Sequence, residues 1–332
     1  MRFPGRLKND FAFLTIGTVL GSIITFFYSV YSKKLTNPRE YGIFTATSII
    51  LTYMNYFQLG TMNAYNRDYP QLVGAGRHDE AKSIKDATLS YLLVVYGVVI
   101  AVSELAIWIV CSVKKVQPIN QYAYMIIVLE SIFVILNSFA LTSAKLEGKF
   151  NFAALAYILQ TLIAVGAGLL LISRFGYLGL YAQSFLSAMI GILLCYRYCF
   201  KDFRFNWNRR LIGDLLLSGI PLLVNNLIWT VVGSIDKFVI LGFMDTTRLG
   251  YYSIATMAFS TMVLIPQTMS NVFYIKINKE YGKNSDKKRL VETSQKYTWL
   301  SSICTGLICL VAYYLLPIFV KVVMPNYDNG VY

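Results

Sequence analysis

The sequence is poor in charge, has almost no histidine and contains no long polar stretch. Asp, Glu, Lys and Arg make up only 14% of its 332 residues against 56% hydrophobic ones, and the mean hydropathy is +0.53. A soluble domain could not cover itself with so little polar surface. The sole histidine, His78, has no metal-ligand company, and neither a G-x-x-x-x-G-K-[ST] nucleotide loop nor an H-E-x-x-H zinc pair occurs. No linker between apolar runs exceeds about 25 residues, well short of the ~50 that a folded domain needs. A separate soluble catalytic domain is thereby excluded, and no cofactor or metal is expected. The five cysteines (Cys111, Cys195, Cys199, Cys304, Cys309) lack the spacing of a disulfide framework or zinc site. They read as small apolar packing residues, Cys195 and Cys199 being the one conceivable thiol pair.

What the chain does have is apolar runs long enough to cross a bilayer, which takes about 20 residues per helix. Nine can be marked, at roughly 11–31, 42–62, 87–113, 116–144, 150–173, 175–196, 212–242, 249–275 and 297–320. The expectation is an all-α, polytopic membrane bundle. The first run follows Arg2, Arg6 and Lys8 like a secretory signal, but its apolar core is too long and SVYSKKLTNPRE offers no cleavage site, so it reads as a retained helix. The net charge of +13 lies between the runs. Of the 30 Lys and Arg, 21 fall on the N-terminal side and eight on the other, among them Lys33, Lys34 and Arg39; the remaining one, Lys237, is inside a run. The positive-inside rule places the N-terminus in the cytoplasm and makes nucleic acid an unnecessary explanation. The basic stretch 276–296 reads as a topology determinant near anionic lipid.

An internal repeat is visible at an offset of 208. It carries REYGIFTATSI onto RLGYYSIATMA, Gly42 onto Gly250, Asn63 onto Asn271 and Gly74 onto Gly282. Six runs separate the copies, so both keep one orientation, the parallel-repeat plan of some transporters. This divides the chain into a first six-helix lobe (1–200), a basic linker (201–211) and the first three helices of a second lobe (212–332). Pro325, Asn326 and Gly330 at the end read as an inter-helix loop, so the second lobe is expected to be incomplete.

Ionisable groups at membrane depth are functional candidates. Asp236 and Lys237 lie near the end of the run 212–242, Asp236 about 10 Å from its middle at 1.5 Å per residue. Adjacent helical residues do not face one another, so the two cannot neutralise each other. Lys237 can snorkel to the interface; Asp236 is too short and is expected to face a polar cavity or a basic partner. Glu130 is at the middle of its run and Glu104 roughly 6 Å from the middle of its own. Each is either a proton, cation or substrate site, or a neutral acid hydrogen-bonded between helices. Amides in the runs usually bond between helices, with the adjacent Asn225 and Asn226 singled out as candidates. The fifth and sixth runs carry no interior charge and are expected to face lipid. Gly17 and Gly21, in GTVLG, would let another helix approach closely, and Pro221 and Pro266 can kink their helices.

The first-helix run, the REYGIF turn, the second helix ending in LGTMNAYNRDYPQL, and IPLLVNNLIWTVVGSIDKFVIL followed by RLGYYSIATMA together resemble the O-antigen and polysaccharide flippases of the multidrug/oligosaccharidyl-lipid/polysaccharide exporter superfamily. The matching positions are Tyr41, Gly42, Gly250, Tyr251, Arg67, Asp236 and Lys237. The resemblance implies two lobes around a central cavity and movement of a lipid-linked oligosaccharide across the bacterial cytoplasmic membrane by alternating access. It implies no enzymatic role. The expected partners are the lipid-linked oligosaccharide, membrane lipid, a polysaccharide polymerase and a chain-length regulator. On this reading Arg67 and Lys145 attract the anionic head group at the cytoplasmic mouth. Asn225, Asn226 and Glu130 line the route, Asp236 with Lys237 serves the outer half, and Glu104 or Glu130 couples transport to an ion. A multidrug or cation exporter of the same superfamily is the rival within transport, and a membrane O-antigen polymerase or ligase the rival from outside it.

Overall fold

The computed structural model describes residues 5–114, 118–263 and 287–330. It is 90% helical, with no strand among the described residues. The first lobe holds α1 (Gly5–Leu35), α2 (Pro38–Met54), α3 (Thr61–Gly74), α4 (His78–Lys114), α5 (Pro118–Leu146), α6 (Phe150–Phe175), α7 (Leu178–Leu194) and the one-turn α8 (Tyr196–Cys199). The second holds α9 (Arg209–Val232), α10 (Ile235–Phe243), α11 (246–263) and α12 (Lys287–Val323), closed by a 3-10 turn over Pro325–Gly330. Among the described residues, five helices are long and apolar enough to span a bilayer, with the shorter apolar α7 beside them. The chain is a multi-pass membrane protein. The rest of the run 249–275, with Pro266 and Asn271, and the basic stretch up to residue 286, with Gly282, lie outside the described residues.

Two runs that read as single helices are broken. The run 42–62 becomes α2, a 3-10 turn over Asn55–Gln58, and α3. The break falls where Leu59 (φ +48°) and Gly60 (φ +86°) take the left-handed conformation, which ends a right-handed helix. Tyr96 caps it by donating to the Met54 carbonyl at 2.9 Å. The run 212–242 breaks at Gly233 and Ser234, and Ser234 Oγ folds back onto the Thr230 carbonyl at 2.6 Å. Helix starts follow local chemistry. Asn37 and Glu40 form a capping box at α2, with Pro38 in the first turn, and the Asn208 side chain accepts the Arg210 and Leu211 amides at α9.

The first lobe packs through small residues. Gly17 sits against Ala154 and Gly21 against Tyr157, so α1 lies close on α6, as GTVLG suggested. Gly168 meets Gln183, and Gly179 meets the α6 backbone at Leu171 and Ile172. The expectation that the fifth and sixth runs face lipid is therefore corrected in part: α6 keeps an exposed apolar face at Leu155, Leu159, Leu162 and Ile163, but its other side is packed. A third of the most apolar window of α6 (33%) is buried, against 6% for α4, whose Val98, Val102, Leu105 and Trp108 are exposed. Absence of charge in α6 reflects close packing by Ala153, Ala154, Ala156 and Ala164. A separate core joins α3, α4 and α5, where Tyr65 stacks on Phe139 at 5.2 Å and packs with Leu89, Leu92 and Tyr96.

The lobes meet at several places. At two of them, Val30 of α1 packs with Ile254, Met257, Val320, Met324 and Tyr327, and α3 packs along α9, where Gly60 and Gly219 meet backbone to backbone. Beside the first contact, a Cβ on Gly42 would overlap the Thr246 carbonyl, and a Cβ on Gly250 would overlap the Pro38 carbonyl. Adding 208 to 38 and 42 gives 246 and 250, so the repeat offset relates each half of this contact to the other.

Candidate functional site: a hydroxyl-walled seam between the lobes

Three hollows follow one another along α2, where it faces the second lobe. The first, about 420 Å³, surrounds Lys33; the second, about 220 Å³, is lined by Lys237; the third, about 250 Å³, is lined by Asn226. Thr45 and Ser48 line the first two, and Thr52 the second and third. Their spacing of three and four residues puts them on one face of α2. Two more such faces converge on the first hollow: Ser22, Thr25, Ser29 and Lys33 on α1, and Ser253, Thr256 and Ser260 on α11.

Most of these hydroxyls have already committed their protons. Thr25 donates to the Gly21 carbonyl (2.9 Å), Thr45 to Tyr41 (2.8 Å), Ser48 to Phe44 (2.7 Å), Thr52 to Ser48 (3.0 Å), Thr256 to Ser253 (3.0 Å) and Ser260 to Thr256 (2.7 Å). Such back-bonding is how Ser and Thr are accommodated in a helix. It leaves oxygen lone pairs for the hollow, so the walls offer acceptors to a ligand rich in O–H or N–H groups.

Into the walls of the first hollow comes one buried cation. Lys33 is 1% exposed, its Nζ donating to Ser29 Oγ at 2.9 Å and lying 4.0 Å from the centre of the Tyr41 ring. Across the seam Nζ is 3.8 Å from Met257 Sδ. It makes no ion pair among the described residues, and none of the three hollows has a lining carboxylate. A cation–π contact and one hydroxyl offset only part of the several kcal/mol, of order, that burying an ammonium costs. The arrangement suits an anion that completes the pair. Lys33 was counted among outer-loop charges in the sequence; instead α1 continues to Leu35 and turns it inward, while Lys34 is exposed. The signal available was the polar stripe Ser22, Thr25, Ser29, Lys33.

The other candidates fall into two groups. Near the seam are Asp236, Lys237, Asn225 and Asn226. Because the helix breaks at Gly233, Asp236 occupies the first turn of α10, where a carboxylate interacts favourably with the helix dipole. Its Oδ1 accepts the Lys237 amide at 2.8 Å and its Oδ2 accepts the Tyr252 hydroxyl. The side chains of Asp236 and Lys237 are half-buried. Tyr56 donates to the Asn226 carbonyl at 3.0 Å and bonds Thr230, while Tyr53 and Ser234 share a hydrogen bond at 2.8 Å, tying α2 and its turn to α9 and α10. Asn225 is exposed beside them.

Away from the seam are Glu104, Glu130, Arg67 and Lys145. Glu130 is fully buried inside the first lobe, its Oε1 accepting the Ser184 hydroxyl of α7 and its Oε2 buried without a partner. Glu104, on α4, also has a buried, unpartnered Oε2. Arg67 is exposed on α3 and holds Asp68 in a fork of 2.6 and 3.1 Å, which raises the guanidinium's already high pKa. Lys145 is half-buried in the last turn of α5.

The family model described as "Polysaccharide biosynthesis protein" matches residues 7–274. The chain belongs to that family. Similar solved structures share its fold at low identity. A multidrug resistance MATE family transporter of the MOP superfamily in an inward-facing conformation superposes with a TM-score of 0.67 at 15% identity, covering 92% of this chain and 72% of that one. An outward-facing conformation of such a transporter gives 0.64 at 14% identity, covering 98% and 77%. A MATE structure in the straight conformation gives 0.64 at 16%, also covering 98% and 77%. No curated protein matches. This polysaccharide biosynthesis protein therefore has the fold of a MOP-superfamily transporter, in agreement with the resemblance.

Proposed function

We propose that this polysaccharide biosynthesis protein carries a lipid-linked oligosaccharide, of the polyprenyl-pyrophosphate type, across the bacterial cytoplasmic membrane by alternating access of its lobes. One observation carries the reading: the seam pairs a single buried, unpaired cation with walls of hydrogen-bond acceptors. A sugar supplies hydroxyl donors to Thr45, Ser48, Thr256 and Ser260, and a diphosphate supplies the counter-charge to Lys33. The rival reading, export of organic cations, fits the same fold but not this hollow. A cationic cargo would meet Lys33 with no carboxylate among the lining residues.

Along the same route, Lys237, Asn226 and Asn225 serve the hollows next to Lys33, and Arg67 and Lys145 gather the head group at the mouth. Energy coupling falls to Glu104 and Glu130, whose unpartnered carboxylate oxygens are free to take up a proton. The test is complementation by the full-length gene in a strain lacking its own oligosaccharide flippase, scored by surface polysaccharide, beside a drug-resistance assay in the same strain. Restored polysaccharide without drug resistance is expected. Drug resistance without polysaccharide would replace this reading with the exporter one.

A further inference from the structure

A fourth hollow, about 560 Å³, lies at the end of the first lobe, far from the Lys33 seam in the bundle's connectivity. It is formed by Tyr69 and Val73 of α3, the first turns of α4, the turn between α5 and α6, and the segment from α8 to Phe203. The volume is in the ~300–1,000 Å³ range of small-ligand sites. Its walls carry five Lys and Arg against three carboxylates. The carboxylates are largely accounted for. Glu147 pairs with Lys85 at 2.7 Å, and Asp86 is buried at 7% exposure and accepts the Arg204 backbone amide. Glu147 is exposed but held by Lys85, which leaves Asp202 as the exposed carboxylate outside an ion pair among the described residues. Lys82, Lys149, Arg197 and Lys201 are exposed around the hollow and make no ion pair among the described residues. Four cations from three separate segments thus surround one concavity with a single exposed carboxylate that is not already in an ion pair among the described residues.

The aromatic surroundings say at what depth this concavity opens. Phe205 stacks on Trp207, and Trp207 on Tyr91, at 6.4 Å in each case. Phe205 (63%), Trp207 (41%) and Tyr196 (58%) are exposed beside the lining residues Phe203 and Arg197. Exposed aromatic rings of this kind mark the head-group level of a membrane. Farther along α4, Val94, Val98 and Val102 are exposed as an apolar face, as contact with acyl chains requires.

We infer that this hollow is a binding site for the phosphate head group of an anionic phospholipid, with cardiolipin, which carries two phosphates, the best-fitting class. Basic pockets between helix ends at the membrane surface take such head groups. The site is independent of the transported cargo.

The test uses the full-length protein in detergent, with lipids titrated and bound stoichiometry read by native mass spectrometry. The probes are cardiolipin, phosphatidylethanolamine and inorganic phosphate. Lys82→Gln/Lys149→Gln is compared with Arg209→Gln/Arg210→Gln, which removes the same charge from the start of α9, outside the lining of the hollow; an unchanged melting temperature verifies folding of both. Cardiolipin affinity is expected to fall roughly fivefold per charge removed in the first pair and under about twofold in the second, and Lys82→Arg/Lys149→Arg restores it. Equal losses in both pairs would mean diffuse surface attraction and overturn the site. So would phosphatidylethanolamine binding as tightly as cardiolipin. Displacement of the lipid by inorganic phosphate would make the hollow a soluble-phosphate site and overturn the lipid assignment.

Discussion

Lys33 and Glu130 are both buried in the protein, and their surroundings differ in kind. Lys33 lies on the seam between lobes, in a hollow walled by hydroxyls from three helices. Glu130 lies inside one lobe, bonded to Ser184 of the adjacent α7, among the packed residues Val128 and Tyr181. Burial alone therefore does not distinguish a route from a packing contact. The decisive features are open volume and the direction in which the surrounding polar atoms point. On the proposed function, the seam would exchange one partner for another, water for cargo, as the lobes move. The lobe interior can change only by gaining or losing a proton.

The largest expected effect comes from Lys33→Met, which should abolish complementation while leaving the melting temperature unchanged or higher, because replacing a buried charge by an apolar side chain often stabilises. Retained transport would remove the seam from the mechanism. Next come Gly42→Leu and Gly250→Leu, each forcing a side chain into the opposite helix start. Both should lose transport to a similar degree, and an assay in which one is tolerated and the other is not would break the equivalence of the two halves. Glu130→Gln is milder and different in character. In proteoliposomes it should preserve cargo binding but flatten the pH dependence of flipping, and an unaltered pH profile would take coupling away from this acid. Thr45→Val, which removes one acceptor, should weaken apparent cargo affinity about fivefold, from a hydrogen bond worth ~1 kcal/mol. The smallest effect is expected from Asp236→Asn. Its amide oxygen still accepts the Lys237 amide while its NH2 donates to the Tyr252 oxygen, reversing that bond, so with the charge at the α10 start lost, thermal unfolding should register a loss within about 1 kcal/mol.

Much of the architecture was readable from residue order, because apolar length, charge asymmetry and Gly-to-Gly spacing act locally. A close approach to α1 was visible in Gly17 and Gly21, though not that α6 makes it, and the correspondence of the halves, though not their contact, in Gly42 and Gly250. The helix breaks were not, since Leu59 takes a left-handed conformation that an apolar residue does not advertise, and Gly233 with Ser234 looks like an ordinary interior pair. The seam was missed for another reason. Attention to charges and amides passed over Ser and Thr, which bond their own helices and so look neutral one at a time. Only when the stripes on α1, α2 and α11 face each other do their spare lone pairs add up to a site. Lys33 was hidden by its neighbour, because Lys34 is exposed and the pair reads as one surface patch.

The meeting of Gly42 and Gly250 has a mechanical consequence. Two helix starts that touch without interposed side chains have no rotamers to unlock and no ion pair to break when one rolls over the other. On the proposed alternating access, this surface would act as a plain bearing, at which one half can turn against the other with little resistance.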